Sequence, residues 1–254
     1  QSAEQNQGGS NPEPASAEEP LEEELVVIPA GPFVFGTNRG GFDEQPERTI
    51  YLDQFLIDRC EVTNAQYAAF LTAVSSRVDP TWAAFDSKKF RCTRGADGTW
   101  TTDAPELPAV TISHPGALAY CAWRTEATGR VHRLPTEVEW EKAARGPCSF
   151  VYDYGNVYRR RAANQESGTL RPVAQFPATG FGTHDMTGNA FEWTADRYPA
   201  RNPEDVFYVL RGGSFVLDGM YLRNSFRMRQ RPDTRTDDFG FRVVREATEE
   251  EETP

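Results

Sequence analysis

The chain has 254 residues and a formal net charge of −11, enough length for one sizeable core. The acidic excess is uneven: residues 1–24 hold seven Glu and residues 246–254 five, with no Lys or Arg in either, so the body between them is nearly neutral. That balance excludes general nucleic-acid binding, which needs a basic surface to displace counterions from phosphates, and no apolar run is long enough to span a bilayer.

Residues 1–24 and 246–254 have too few apolar side chains to offset the entropy of ordering, so they are expected to be disordered acidic tails around one domain, residues 25–245. The chain starts at Gln1, and a tail rich in Gln, Ser, Pro and Glu is what a removed secretory or lipoprotein signal leaves, although a trimmed chain would look the same. The expectation is an extracytoplasmic protein (secreted, periplasmic or surface lipoprotein), with any lipid anchor lost from the chain as given.

Short strands are predicted at Leu25-Val26-Val27-Ile28, at Phe33-Val34-Phe35 and across Thr49 to Phe55, where Ile50, Leu52 and Phe55 carry the apolar side. A first helix follows from the capping-box pair Thr63 and Gln66, with Tyr67, Phe70, Leu71 and Val74 as one inward stripe. A second is expected to start near His114-Pro115, with His114 as a cap, to bury Leu118, Cys121 and Trp123, and to stop at Gly129. The third is marked by Thr136 with Glu139, by Trp140 and Ala143 facing inward, and by Gly146 at its end. Beyond it Gly, Pro, Asn and Asp multiply, predicting long ordered loops with strands at Leu210 to Phe215 and Phe239 to Val244. Few helices, short strands and much irregular chain make an α+β pattern.

The four cysteines form no C-x-x-C pair. Cys121 reads as a buried thiol, and Cys92 and Cys148, in polar sequence, are the candidates for a disulfide among three connectivities. The three histidines, His114, His132 and His184, have no metal-ligand spacing. There is no G-x-S-x-G elbow, phosphate-binding glycine loop or dinucleotide fingerprint, and Gly212-Gly213-Ser214 is read as a glycine-paired strand.

Several motifs occur in order over most of the chain: Ile28-Pro29-Ala30-Gly31-Pro32-Phe33, Glu61-Val62-Thr63-Asn64, Leu134-Pro135-Thr136-Glu137, Gly188-Asn189-Ala190-Phe191-Glu192-Trp193, Arg211-Gly212-Gly213-Ser214 and Gly240-Phe241-Arg242. Together they resemble the formylglycine-generating enzyme (sulfatase-modifying factor) family. The resemblance implies that family's variant of the C-type lectin fold. In its enzymes two cysteines, four residues apart and a fixed distance before the Gly-Phe-Arg motif, bind copper and do the redox chemistry. The corresponding positions here are Gly219 and Asn224, and the last cysteine is Cys148, so no copper is expected and formylglycine generation is not. The related sulfoxide synthases use histidines of an added helical domain, for which this chain has no counterpart.

The resemblance also implies calcium, held by backbone carbonyls around the Gly-Asn-x-x-Glu motif and by carboxylate, which maps onto Asp185, Gly188, Ala190 and Glu192. A plainer reading holds Glu192 on backbone N–H groups beside a core Trp193. The family's second calcium site is not expected, because its acidic loop is shortened near Asn164.

The last constellation is Arg223, Arg227, Arg229, Arg231 and Arg235, of which the middle three alternate at the strand period. As internal staples they would pair with Asp233, Asp237 and Asp238. As a ligand face, Arg223, Arg227 and Arg229 beside Tyr221 and Phe226 would take an anionic group, and the resemblance places this segment in the groove where substrate peptides lie. The reading is a non-catalytic (or non-copper) family member, a binding or scaffold protein for a peptide, glycan or partner protein. Two alternatives are an oxidoreductase of the pyoverdine-maturation type, acting without the cysteine pair, and a variable ligand-binding display protein.

Overall fold

The computed structural model describes residues 24–247. The expected acidic tails lie outside the described residues, apart from their inner ends at Glu24, Glu246 and Ala247. In chain order the elements begin with β1 (Leu25–Ile28), β2 (Gly31–Phe35), β3 (Arg48–Leu52), β4 (Phe55–Asp58) and α1 (Asn64–Ala73). They continue with β5 (Cys92–Arg94), β6 (Trp100–Thr102), α2 (His114–Thr128), β7 (His132–Arg133) and α3 (Glu137–Arg145). The last are β8 (Phe191–Arg197), β9 (Tyr208–Arg211), β10 (Met228–Gln230), β11 (Phe239–Gly240) and β12 (Val244–Glu246). No helix among the described residues is long and apolar enough to cross a membrane.

Among the described residues two four-stranded sheets organise the chain, one in the order β1-β4-β12-β7 and the other β10-β9-β8-β11, with β2-β3 and β5-β6 as separate hairpins. The expected strand from Thr49 to Phe55 is broken at Asp53-Gln54 into β3 and β4, which join different sheets. The expected strand from Leu210 to Phe215 ends at Arg211, because Gly212 and Gly213 turn the chain at φ 91° and 74°. The expected strand from Phe239 to Val244 is also two pieces: β11 pairs with β8 in one sheet and β12 with β4 and β7 in the other. Phe241-Arg242-Val243 is thus the crossover between sheets. Glu246, expected to open a tail, closes β12.

The helices follow their local signals closely. Thr63 Oγ1 accepts from Gln66 N at 3.3 Å while Gln66 Oε1 accepts from Thr63 N at 2.9 Å, and Tyr67, Phe70, Leu71 and Val74 are all buried. Thr136 and Glu139 cap α3 in the same way, and Gly146 ends it. For α2 two corrections are needed. Ser113 is the cap, its Oγ accepting from Gly116 N, and His114 is the first helical residue. Leu118 is 44% exposed; the inner face is Ala117, Tyr120, Cys121 and Arg124, the last buried because Asp58 takes its guanidinium at 2.9 Å on both oxygens. An apolar stripe and one buried ion pair together make that face.

The larger core lies between α1, α2 and the β8-β9 sheet, where Tyr67 contacts Phe70, Phe90, Tyr120 and Phe241 with ring centroids 5.2–6.3 Å apart. The smaller lies under the other sheet, around Trp140 of α3 with Ile28, Phe55, Ile57, Met186 and Val244. The expected Cys92–Cys148 disulfide is absent. Cys92 is buried in β5 with its thiol directed at Asn64 O, Cys148 is exposed after α3, and all four thiols are free.

Candidate functional site

The Gly188-Asn189-Ala190-Phe191-Glu192 motif runs into the start of β8, and the chain leading there is held in three left-handed residues, Asp185, Gly188 and Asn189, at φ 56°, 81° and 57°. Gly188 is required there, since a Cβ would drive into the Asn164 carbonyl. This turn delivers Glu192 to the interior, fully buried, opposite Arg242 of the crossover. Arg242 Nε and Nη2 donate to Glu192 Oε2 and Oε1 at 2.6 and 2.8 Å, and Trp140 Nε1 donates to Oε2 at 2.8 Å. The remaining guanidinium N–H groups go to the carbonyls of Asp58, Arg59 and His184 at 2.9–3.2 Å. Burial opposes the charge on Arg242, but the Glu192 carboxylate outweighs it and the guanidinium pKa rises further above its ordinary value. The plainer alternative, a Glu192 held on backbone N–H groups, is replaced by one held by side chains.

Two more acids face the same region. Glu61, almost fully buried, accepts from Asn189 Nδ2 on Oε1 at 3.0 Å, while its Oε2 has no partner. Burial first, and then repulsion from Asp185, hold its carboxyl pKa well above the usual range. Asp185 is raised by burial as well, with its Oδ2 accepting from Ala174 N at 2.6 Å. Glu192 alone bonds the Arg242 guanidinium; Glu61 and Asp185 feel its charge at a distance, and one Glu61 oxygen is orphaned. Both Glu192 oxygens are taken by Arg242 and Trp140, so a cation placed here would draw on Asp185 and the unpartnered Glu61 oxygen. Among the described residues no three acidic, histidine or cysteine side chains form a ready-made cage, so backbone carbonyls would have to complete the coordination. In the sequence Glu61 stands only as part of the Glu61-Val62-Thr63-Asn64 motif, two residues before the N-cap Thr63, and no local pattern marks its burial.

The positions of the missing thiols are 219 and 224. Gly219 begins a 3₁₀ turn, Gly219–Leu222, and a Cβ there would meet nothing within 4 Å. Asn224 is wholly buried: its Nδ2 donates to Phe150 O at 3.1 Å, its N to Val151 O at 2.7 Å, and its carbonyl accepts from Arg211 Nη2 at 2.6 Å. It ties the C-terminal segment to the loop after α3. The four cysteines lie elsewhere, and burial pushes the Cys60 and Cys92 thiols up to about 12 and that of Cys121 higher still.

The arginines divide by partner. Arg223 donates to Glu44 Oε1 at 2.7 Å, and Arg227 grips Glu137 through two bonds of 2.7 and 2.8 Å while also donating to Asp43 O. Both residues, expected as ligand-binding, are committed to internal ties, and the acids are Glu44 and Glu137 in place of Asp233, Asp237 and Asp238. Asp237 and Asp238 accept from Ser87, Ser214 and Thr236 instead. Arg235 donates to the Pro80 and Ala83 carbonyls. Arg229 is exposed between the rings of Tyr198 and Phe207. Tyr221 is partly exposed, with its ring edge-on to half-buried Phe226 at 5.5 Å. The histidines stay apart: His114 stacks on Tyr208, His132 lies in β7, and His184 lies beside Arg59.

The model of the sulfatase-modifying factor enzyme 1-like domain matches residues 10–247. The chain is 31% identical to the serine/threonine-protein kinase pkn1 of Chlamydia caviae over 89% of its own length, but spans only 38% of that relative. It is 30% identical to the inactive C-alpha-formylglycine-generating enzyme 2 of Bos taurus, covering 87% of this chain and 87% of the relative. Among solved structures, PvdO from Pseudomonas aeruginosa superposes with a TM-score of 0.72 at 28% identity, over 91% of this chain and 100% of the other. Three helices, short strands and mixed sheets agree with the lectin-like α+β architecture. With these matches and the buried Glu192–Arg242 centre built from two of its motifs, the chain belongs to the formylglycine-generating enzyme (sulfatase-modifying factor) family.

Proposed function

We propose that this chain is a non-catalytic member of the family, an extracytoplasmic binding or scaffold protein whose lectin-like surface holds a peptide, glycan or partner protein. The observation that carries this is the pair Gly219 and Asn224. One is a residue with open space around it and no thiol, the other a buried amide built into the fold. Copper-dependent oxidation of a cysteine needs soft, deprotonated sulfur at both positions, and the burial of Cys60, Cys92 and Cys121 keeps those thiols protonated. The relative named inactive, matched over nearly its whole length, supports the same reading. Purified protein should neither bind Cu(I) against a chelating competitor nor convert a cysteine peptide to its aldehyde. Tight Cu(I) binding together with aldehyde formation would overturn the proposal.

Calcium is part of this reading as a structural ion, taken by the Asp185 and Glu192 carboxylates and the Gly188 and Ala190 carbonyls, with the orphaned Glu61 Oε2 as a further donor. Binding to the folded state alone stabilises it by about 2.7 kcal/mol at a hundredfold excess over Kd. The thermal midpoint should therefore rise in calcium relative to chelator, and Glu61→Gln should shrink that increment. Equal midpoints in the two conditions would remove the ion from the account.

A further inference from the structure

Ten large hydrophobic side chains are exposed among the described residues, and five of them, Val157, Tyr158, Val216, Met220 and Tyr221, fall in two loops, residues 156–162 and 216–221. The loops meet at Gly219, whose carbonyl accepts from Tyr152 Oη at 3.3 Å, while the Tyr152 ring packs on that of Tyr158 with centroids 6.0 Å apart. Just past the first loop, Glu166 N donates to Leu217 O at 3.2 Å and closes the junction. Val157 is 70% exposed, Met220 58% and Val216 53%. Half of the surface's large hydrophobic groups thus lie on two joined loops, a concentration that marks a contact surface where scattered single residues would not.

Arg159, Arg160 and Arg161 follow Tyr158 directly, and all three are exposed. Their turn is closed by Ala162 N donating to Arg159 O at 3.0 Å, and buried Gln165 fastens it by donating from Nε2 to the same carbonyl at 2.6 Å. Two acids lie by Tyr158: Glu166, which accepts from its Oη at 3.1 Å and from Arg160 Nε at 3.0 Å, and exposed Asp218. Arg159 and Arg161 pair with no carboxylate among the described residues, so the turn keeps an excess of positive charge beside the hydrophobic groups.

That combination selects the occupant. A soluble polyanion would engage the arginines and leave Val157, Val216 and Met220 in water, whereas phosphate headgroups over hydrocarbon satisfy both sets. Guanidinium N–H groups bond phosphate oxygens, tyrosines sit at the headgroup level, and aliphatic tips enter the acyl layer. A hydrogen-bonded turn also has little freedom left to lose on docking.

We propose that these two loops dock the chain on a membrane surface rich in anionic phospholipid, with Arg159 and Arg161 on headgroup phosphates and Val157, Val216 and Met220 in the outer acyl layer. This function is separate from the ligand of the binding-protein reading and needs no spanning helix. The whole chain carries −11 and is repelled by an anionic surface at long range, so attachment to one reports the local patch.

The test is co-sedimentation of the full chain with vesicles of phosphatidylcholine alone and of phosphatidylcholine with about a third phosphatidylglycerol, at about 50 mM NaCl. The protein should pellet with the anionic vesicles and stay in solution with the neutral ones. Arg159→Ala with Arg161→Ala should lower the partition about tenfold, and Val157→Ser with Met220→Ser by a similar factor. Arg77→Ala, at an exposed arginine of a different ion pair, should change nothing. Thermal midpoints equal to that of the wild type establish that the variants are folded. Equal attachment to both vesicles, or attachment that survives either pair of substitutions, would overturn the inference; survival of Val157→Ser with Met220→Ser alone would point to any polyanion as the ligand. Absence of attachment to the anionic vesicles overturns it too and leaves the two loops to a protein partner. Cu(I) binding and aldehyde formation test the binding-protein reading separately.

Discussion

Arg242→Met should destabilise the folded chain by about 3–5 kcal/mol, the usual cost of removing one partner from a buried ion pair. The substitution leaves Glu192 with only the Trp140 indole and removes from Glu61 and Asp185 the favourable charge of Arg242. It also strips hydrogen bonds from the carbonyls of Asp58, Arg59 and His184, which lie inside the protein. Urea denaturation at pH 7.5 reads the loss directly, and adding Glu192→Gln to the same chain should recover part of it by removing the stranded charge. The deficit should shrink near pH 5. Without Arg242 the acids have folded pKa values raised above their unfolded ones, so protonation favours the folded state and stability is lost as pH rises. A loss under 1 kcal/mol at pH 7.5 would show that the pair does not hold the centre together.

A second large effect should come from acid acting on His114. Its ring is stacked on Tyr208 at a centroid distance of 3.6 Å, its Nε2 faces the Thr194 carbonyl at 3.1 Å, and burial pulls its pKa down to about 4. The folded value lies below the unfolded one near 6.5, so the neutral ring is the one the fold accepts. Above pH 6.5 nothing is lost. Below it the unfolded chain takes the proton first, and stability falls by about 1.4 kcal/mol per pH unit until pH 4, a total of about 3 kcal/mol. His114→Phe keeps a ring against Tyr208 and gives up the hydrogen bond, which costs about 1 kcal/mol at pH 7.5. The difference in denaturation free energy between the two proteins should change sign as pH is lowered from 7.5 to 4. A difference that stays constant over that range would assign the acid sensitivity to the carboxylates alone.

What could be read in the sequence follows from the range of each interaction. The caps Thr63–Gln66 and Thr136–Glu139 span three residues, so both helix starts and both inward stripes were legible. The pairs that build the site were not. Arg242 reaches Glu192 across 50 positions and Arg227 reaches Glu137 across 90, and nothing local says which acid an arginine will meet. The α2 face was misjudged for the same reason, since Asp58 draws Arg124 inward and leaves Leu118 to solvent. Strand breaks at Asp53-Gln54 and at Phe241-Arg242-Val243 were hidden because apolar alternation runs through them while the pairing changes sheet. The missing thiols were visible as counting alone; that Asn224 is a structural tie needed coordinates.

The order of strands β1-β4-β12-β7 sets a timetable for the newborn polypeptide. Its first and second members are made early, yet the one that joins them to β7 is made last, and Arg242 must arrive just before it to neutralise an acid translated long beforehand. Neither half can close before the residues up to Glu246 have been made, and maturation is dominated by distant pairings, the regime of slow acquisition of the native state. Until Val244 is made, Ile57 and Trp140 stay without their neighbour and that apolar surface remains uncovered.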